Sequence, residues 1–221
     1  PVHERLTTLV ERKAVVLKRD DLTAELLSLW NASGHYADAA AILDTRVFHP
    51  WEGGEGKVPA QYQLARVELV KACLKAGENQ KALDLIEECF IYPHNLGEGK
   101  LYGAQENDFN YYKACALRAL GREAEAHELF LAASTGNSQP AAAMYYNDQP
   151  AELILYEGLA ALALGDREHA SARFHKLIAY GEKHYYDQVK IDYLAVSLPE
   201  LQLFDEDLTL RNRAHCEYLI A

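Results

Sequence analysis

Two short stretches of this 221-residue chain gather glycine, glutamate, lysine, histidine and aromatic residues in a way that invites chemistry. The first is Phe48-His49-Pro50-Trp51-Glu52-Gly53-Gly54-Glu55-Gly56-Lys57, and the second is Tyr92-Pro93-His94-Asn95-Leu96-Gly97-Glu98-Gly99-Lys100. Both end in Gly-Glu-Gly-Lys, 43 residues apart. Glycines leading into a lysine are the stuff of phosphate cradles, but such a loop needs Gly-x-x-x-x-Gly-Lys-Ser/Thr between a strand and a helix. Here Val58 and Leu101 follow the lysines and no strand pattern precedes either stretch. The phosphate reading fails. His49 and His94 occupy matching stretches and can converge, yet no nearby Cys or His completes a metal-ligand set. His169 and His175, six apart, fall on different helical faces.

Nothing else in the chain has the spacing of a reaction centre. Gly-x-Ser-x-Gly and His-Glu-x-x-His are absent, and acidic pairs such as Glu87-Glu88 and Asp205/Asp207 read as solvated faces and caps. The expectation is a chain with no catalytic residue, no metal and no cofactor. Two readings of the paired stretches remain open. In one, the glycines supply turns while Trp51 and Leu96 plug gaps between structural units. In the other, Trp51, Lys57, His94 and Lys100 contact a ligand, as loops on rigid scaffolds commonly do.

Composition narrows the partner class. The net charge of −11 disfavours nucleic acid and anionic membrane surfaces, both of which demand clustered Lys and Arg. No apolar run approaches membrane-spanning length. Cys73, Cys89, Cys115 and Cys216 sit among apolar residues without a Cys-x-x-Cys pair, so they read as buried, reduced side chains of a cytoplasmic protein. The opening Pro1-Val2-His3-Glu4-Arg5 is neither a signal peptide nor a natural initiator, and is read as the start of a fragment. Fourteen tyrosines against six phenylalanines lean toward surfaces that are apolar with a polar tip. Met144, Tyr145 and Tyr146, and the group Tyr180, His184, Tyr185, Tyr186 and Tyr193, are the clusters where that choice arises.

The elements that position these residues follow from a repeat. Gly34/Ala39, Gly77/Ala82, Gly121/Ala126 and Gly165/Ala170 share one spacing, with successive glycines 43, 44 and 44 residues apart. Each pair lies where one helical pattern ends and another begins. The apolar sets Leu22, Leu26, Leu29, Trp30 and Tyr36, Ala39, Ala40, Leu43 flank Gly34. The next hairpins pair Gln61–Lys75 with Gln80–Phe90, Asn107–Leu120 with Glu123–Ala133, and Ala151–Leu164 with Arg167–Ala179. Each glycine suits the left-handed position just past a helix. Each alanine allows close helix approach, and a bulky partner follows four residues later at Leu43, Ile86, Phe130 and Phe174. The expected fold is all-α. The expected layout is one array over 1–221: a partial repeat at 1–19, hairpins over 20–58, 59–106, 107–150 and 151–186, and a helix plus a truncated repeat at 187–221. Val2, Leu6, Leu9 and Val10 form the first stripe, Asp187–Val196 a helix ended by Ser197-Leu198-Pro199, and Leu208–Ala221 a last helix. The array is expected to be cut at both ends.

Over roughly residues 20–180 this pattern resembles the tetratricopeptide repeat, through Gly34-His35-Tyr36-Ala37-Asp38-Ala39 and Gly165-Asp166-Arg167-Glu168-His169-Ala170, with Gly158 and Ala114 at its small-residue position. The period departs from the family's, which is about 34 residues, and most hairpins lack the family's terminal proline. A HEAT- or armadillo-type array, with repeats of about 40–47 residues, is the alternative, against which the tight Gly-to-Ala turn argues. The resemblance implies a right-handed superhelix of antiparallel hairpins whose first helices line a concave surface. Gln61, Glu68, Asp108, Tyr111, Glu152 and Tyr156 are placed on that surface by the resemblance. The two loops are also similar to those of bacterial multidomain proteins in which such hairpins follow a β-rich domain akin to carbohydrate-active enzymes. That likeness implies a non-catalytic scaffold contacting a protein or neighbouring domain. The alternative is a carbohydrate-binding module completing an enzyme site, and self-association through open array ends is a third course.

Overall fold

The computed structural model describes residues 2–140, 149–189 and 207–221. Among them are eleven α-helices, one 3₁₀ turn and no strand. The chain divides into two compact units, Pro1–Tyr102 and Gly103–Ala221. No helix among the described residues is long and apolar enough to cross a membrane.

The first unit contains α1 (Val2–Glu11), α2 (Lys13–Val16), α3 (Asp20–Ala32), α4 (Tyr36–Leu43), α5 (Lys57–Ala76) and α6 (Asn79–Cys89), followed by the 3₁₀ turn His94–Leu96. Helix α3 is the centre, packing on α1, α4 and α5, while α5 also packs on α4 and α6. Leu26, Leu27, Leu43 and Val58 are wholly shielded, and Trp30, Phe48, Tyr62 and Leu96 complete the same core. The second unit contains α7 (Asn107–Ala119), α8 (Glu123–Ala133), α9 (Leu153–Leu164), α10 (Arg167–His184) and α11 (Leu208–Ile220). There α7 packs on α8 and α9, α8 on α9, α9 on α10, and α10 on α11.

The four repeated turns share one geometry. Gly34, Gly77, Gly121 and Gly165 adopt φ of 81°, 78°, 77° and 88°. In each, the glycine N–H bonds the carbonyl three residues back, and the next N–H bonds the carbonyl five back, as in His35 to Trp30 and Asp166 to Ala161. This double bond pattern satisfies the orphan carbonyls of a helix end and requires left-handed backbone at the glycine. The chain is thereby reversed so that the alanine four residues beyond the second donor meets the partner helix. Ala39, Ala82, Ala126 and Ala170 are all completely buried. Leu43, Ile86 and Phe130 are shielded beside them, each contributing about 2–3 kcal/mol by burial. Phe174 is half-buried and lies over Gly158, where a β-carbon would come within 2.3 Å of its ring.

Several expectations need correction. In α1 only Leu9 is buried and Leu6 partly so, whereas Val2 and Val10 face water at 49% and 44% exposure. Helix α1 packs on α3 and α2, so a narrow stripe suffices. Cys115 is half-buried, unlike the other three free thiols, because it stands one turn after Tyr111 on a partly open face. Helix α10 continues past Ala179 to His184, since Gly181 lets the Cys216 carbonyl and Ile220 of α11 approach closely; a β-carbon there would stand 2.8 Å from each. Asp187, Gln188 and Val189 are not helical, and the remainder of the expected helix to Val196 lies outside the described residues. So do Ser197-Leu198-Pro199, Met144, Tyr145, Tyr146 and Tyr193.

Candidate functional site

The two Gly-Glu-Gly-Lys loops meet within the first unit. The Phe48 N–H donates to the Asn95 carbonyl at 2.7 Å, and the Asn95 amide donates to the carbonyls of Leu43 and Arg46 at 2.7 and 2.8 Å. The Leu43 carbonyl ends α4 and Arg46 lies just beyond it, so the second loop caps the helix that feeds the first. The Glu98 carboxylate in turn accepts from the Gly56 N–H at 2.7 Å, capping the start of α5. A negative group at a helix N-terminus is favoured by the exposed amides and the helix dipole.

The matching tetrapeptides do not have matching conformations. In the first, Gly56 is left-handed at φ 73°, while Gly54 lies against the Trp51 indole, where a β-carbon would strike Cε2 at 2.1 Å. In the second, Gly97 is left-handed at φ 80° and abuts the Phe48 carbonyl, whereas a β-carbon on Gly99 would meet open space. Lys57 is the first residue of α5, and Lys100 stands in a loop; both are exposed. Trp51 packs partly against the core, and Leu96 is buried in it. Pro50, Trp51, Glu52, Glu55 and Glu98 line a cleft of about 270 Å³. His94 is exposed at the start of the 3₁₀ turn, and His49 turns to Asp20, its backbone N–H and Nδ1 lying 3.2 and 3.3 Å from one carboxylate oxygen. Among the described residues, no group of three or more His, Cys, Asp or Glu is placed to hold a metal ion.

Gln61 and Glu68 also lie in the first unit, and both are engaged there. The Asn31 amide donates to the carbonyl and side-chain oxygen of Gln61, at 3.1 and 2.9 Å. Glu68 accepts from Lys71 one turn along α5 at 2.6 Å. Beneath them, the buried Arg66 guanidinium bridges Glu88 at 2.8 Å and Asp44, while lying 3.9 Å over the Tyr62 ring.

The remaining four candidates lie in the second unit, where two of them, Tyr111 and Tyr156, meet. Asp108 and Tyr111 come from α7, Tyr156 from α9, and Glu152 directly precedes α9. Tyr111 and Tyr156 have ring centroids 5.8 Å apart. Tyr112, not singled out in the sequence, stands 5.4 Å from Tyr111 and 5.5 Å from Tyr156, with the Tyr112 and Tyr156 hydroxyls 3.3 Å apart. Its signal was legible: Tyr112 and Tyr156 are separated by 44 residues, the repeat interval, as are Asp108 and Glu152. Tyr111 reaches inward as well, edge-on to Phe130 at 5.8 Å.

Burial and neighbours shift the acids and bases of this face. Desolvation pushes the half-buried Asp108 carboxyl up to about 7, against the downward pull of the Phe109 backbone N–H and its own, with Glu106 adding to the rise. Burial raises the Tyr111 and Tyr156 phenols, with Tyr112, Asp108 and Tyr218 raising Tyr156 further. Glu152 and His215 of α11 form a pair at 2.7 Å. Burial works to raise Glu152, but the bond from His215 outweighs it and the carboxyl is lowered; the same bond raises His215. Neither His215 nor Tyr218 was marked by any local pattern, since their roles depend on α11 lying near α9.

No family model matches the chain, and no solved structure matches it.

Proposed function

We propose that this chain is a non-catalytic helical-repeat scaffold whose second unit docks a protein or neighbouring domain, in the manner of the tetratricopeptide superhelix its turns resemble. The observation that carries this reading is the face of Asp108, Tyr111, Tyr112 and Tyr156, edged by Glu152 and His215. Half-exposed aromatic rings with polar tips supply large contact area at low entropic cost, which is the composition of interface centres. The right-handed superhelix, the bacterial multidomain setting and a cytoplasmic location belong to the same proposal. The four shared turns and four buried alanines support its repeat geometry, and the net charge of −11 directs it toward protein rather than nucleic acid.

Co-elution tests it. The 221-residue chain is run with β-rich domains from the multidomain proteins it resembles. Co-elution that disappears in Tyr112→Ser/Tyr156→Ser, with unchanged thermal melting, is expected. Failure of the unsubstituted chain to co-elute with any such domain sinks the reading.

The cleft beside Trp51 favours a second reading, an accessory carbohydrate site, because an indole and carboxylates share its wall. Its volume of about 270 Å³ is at the low end for small-molecule sites. Gly54 also covers part of the indole. Replacing Trp51 and Lys57 separates the readings: lost sugar binding with normal melting favours carbohydrate, and lost stability alone favours packing.

A further inference from the structure

We propose that the tyrosine face of the second unit is a receptor for a cationic side chain, so that the docked protein presents a lysine or arginine between Asp108 and the rings of Tyr112, Tyr156 and Tyr218. The inference rests on the scaffold reading and names the chemistry by which that face selects its partner.

The geometry is that of an incomplete ion site. A carboxylate withdrawn from water is ordinarily matched by a cation or neutralised. Asp108 has no ion-pair partner among the described residues; its help comes from backbone N–H groups at the start of α7. The other charges near it do not fill the role. Glu106 has the same sign, and Glu152 is matched by His215 at 2.7 Å. Arg118, further along α7, donates to the Ala163 carbonyl and lies 4.2 Å over the Phe130 ring. The upward push that burial gives the half-buried Asp108 carboxyl is in keeping with that shortfall.

The rings supply the second half of the argument. Tyr112 and Tyr156 are tilted against each other at 5.5 Å and 65°, presenting faces and edges in different directions. Asp108 stands one helical turn before Tyr112 in α7, Tyr112 lies 5.5 Å from Tyr156, and the His215–Glu152 bond holds α11, which carries Tyr218, beside the start of α9. The charges of Asp108 and Tyr218 raise the Tyr156 phenol in keeping with that placement. Tyr218 is 57% exposed, which leaves this neighbourhood open to an arriving group. Aromatic faces attract ammonium and guanidinium groups through the ring quadrupole, and more strongly once water is excluded. An anionic partner would meet the Asp108 carboxylate and the negative ring faces unfavourably. The overall charge of −11 also draws basic segments toward the chain.

The test uses the full 221-residue chain at physiological salt and two labelled decapeptides: one alternating arginine with glycine and serine, the other with glutamine at each arginine. Fluorescence anisotropy gives affinity, and backbone amide shifts locate the contact. The expected result is that the arginine peptide binds at least about tenfold more tightly than the glutamine peptide, the scale of one desolvated cation–π and carboxylate contact. Asp108→Asn weakens it about tenfold and Tyr218→Ala about threefold, with amide shifts in α7 and α9. Tyr218 is exposed enough that its variant keeps the fold, and melting curves check both variants. Equal binding of the two peptides overturns the inference while leaving the docking face standing. Unchanged affinity in Asp108→Asn, or shifts confined to the first unit, also overturns it. Binding of neither peptide overturns it too, and the co-elution experiment then judges the scaffold reading separately.

Discussion

In the first unit Leu96, Asn95, Glu98 and Gly97 of the conspicuous loops turn toward their own chain, while in the second the less conspicuous tyrosines and acids on and beside α7 and α9 remain half in water. Leu96 enters the core, Asn95 caps α4, Glu98 caps α5, and Gly97 lies on the Phe48 carbonyl. The second unit holds Asp108 without a counter-charge among the described residues, one helical turn before the packed rings of Tyr111, Tyr112 and Tyr156. A motif that stands out in sequence can therefore have several of its residues engaged in packing. Groups left chemically incomplete after folding are the better guide to a partner.

The units differ also in how they handle buried charge, and this difference gives the largest expected effect. Glu157 is completely buried and receives Arg173 at 2.6 Å, with its other oxygen unpartnered among the described residues. In the first unit the arginine is the buried member, and Asp44 and Glu88 are each 47% exposed. Arg173→Met strands a buried carboxylate and is expected to cost about 3–5 kcal/mol. Arg66→Met leaves two carboxylates that water can solvate, and is expected to cost about 1–2 kcal/mol. Urea denaturation of the two variants measures this, and equal losses would break the contrast.

The next test bears on the loops. Gly97→Ala must hold a left-handed backbone and push against the Phe48 carbonyl, 2.7 Å from the added carbon. The expected loss is about 2 kcal/mol. Gly99→Ala, with open space and no left-handed requirement, is expected within about 0.5 kcal/mol of the parent. Similar melting of both variants would mean that Gly97 is not held in the left-handed conformation against the Phe48 carbonyl.

A smaller effect follows from pH. The Asp108 carboxyl is raised on folding, so its protonated form favours the native state, and that stability is lost as pH rises from about 4 to about 7. His215 is raised by Glu152, so the pair's contribution is complete below the ordinary histidine value of about 6.5 and fades as pH climbs through the higher folded value. Both signs agree. The second unit is expected to be about 1–2 kcal/mol less stable at pH 8 than at pH 6. Asp108→Asn should remove part of that slope, leaving the His215 part, in thermal melts across this range. A flat profile in the parent would show that Asp108 is well solvated. The smallest effect is expected from Glu98→Gln, which keeps an acceptor for the Gly56 N–H but loses its charge, at a cost of about 0.5–1 kcal/mol by melting.

Much of the helical layout was legible. Helix α8 spans Glu123–Ala133 and α11 begins at Leu208, as the pattern predicts, and the four glycines adopt the backbone their turns require. Other features were not. The loops looked equivalent because they share four letters, yet their left-handed residues occupy different positions. The repeat interval links Tyr112 to Tyr156, and the fold sets Tyr111 beside both. The buried Arg66 and Glu157 networks carried no sequence signal, since charged residues within a helix look alike until burial distinguishes them.

The sequence by itself determined where helices begin and reverse, and which small residues allow them to touch, because capping, left-handed turns and i to i+4 spacing act within a few residues. Tertiary structure alone decided which polar groups found partners. Gly56 and Glu98 are 42 residues apart in the chain, and Glu152 and His215 are 63. Such pairings depend on whole helices docking and excluding water, and a linear pattern holds no record of which carboxylate will be left waiting.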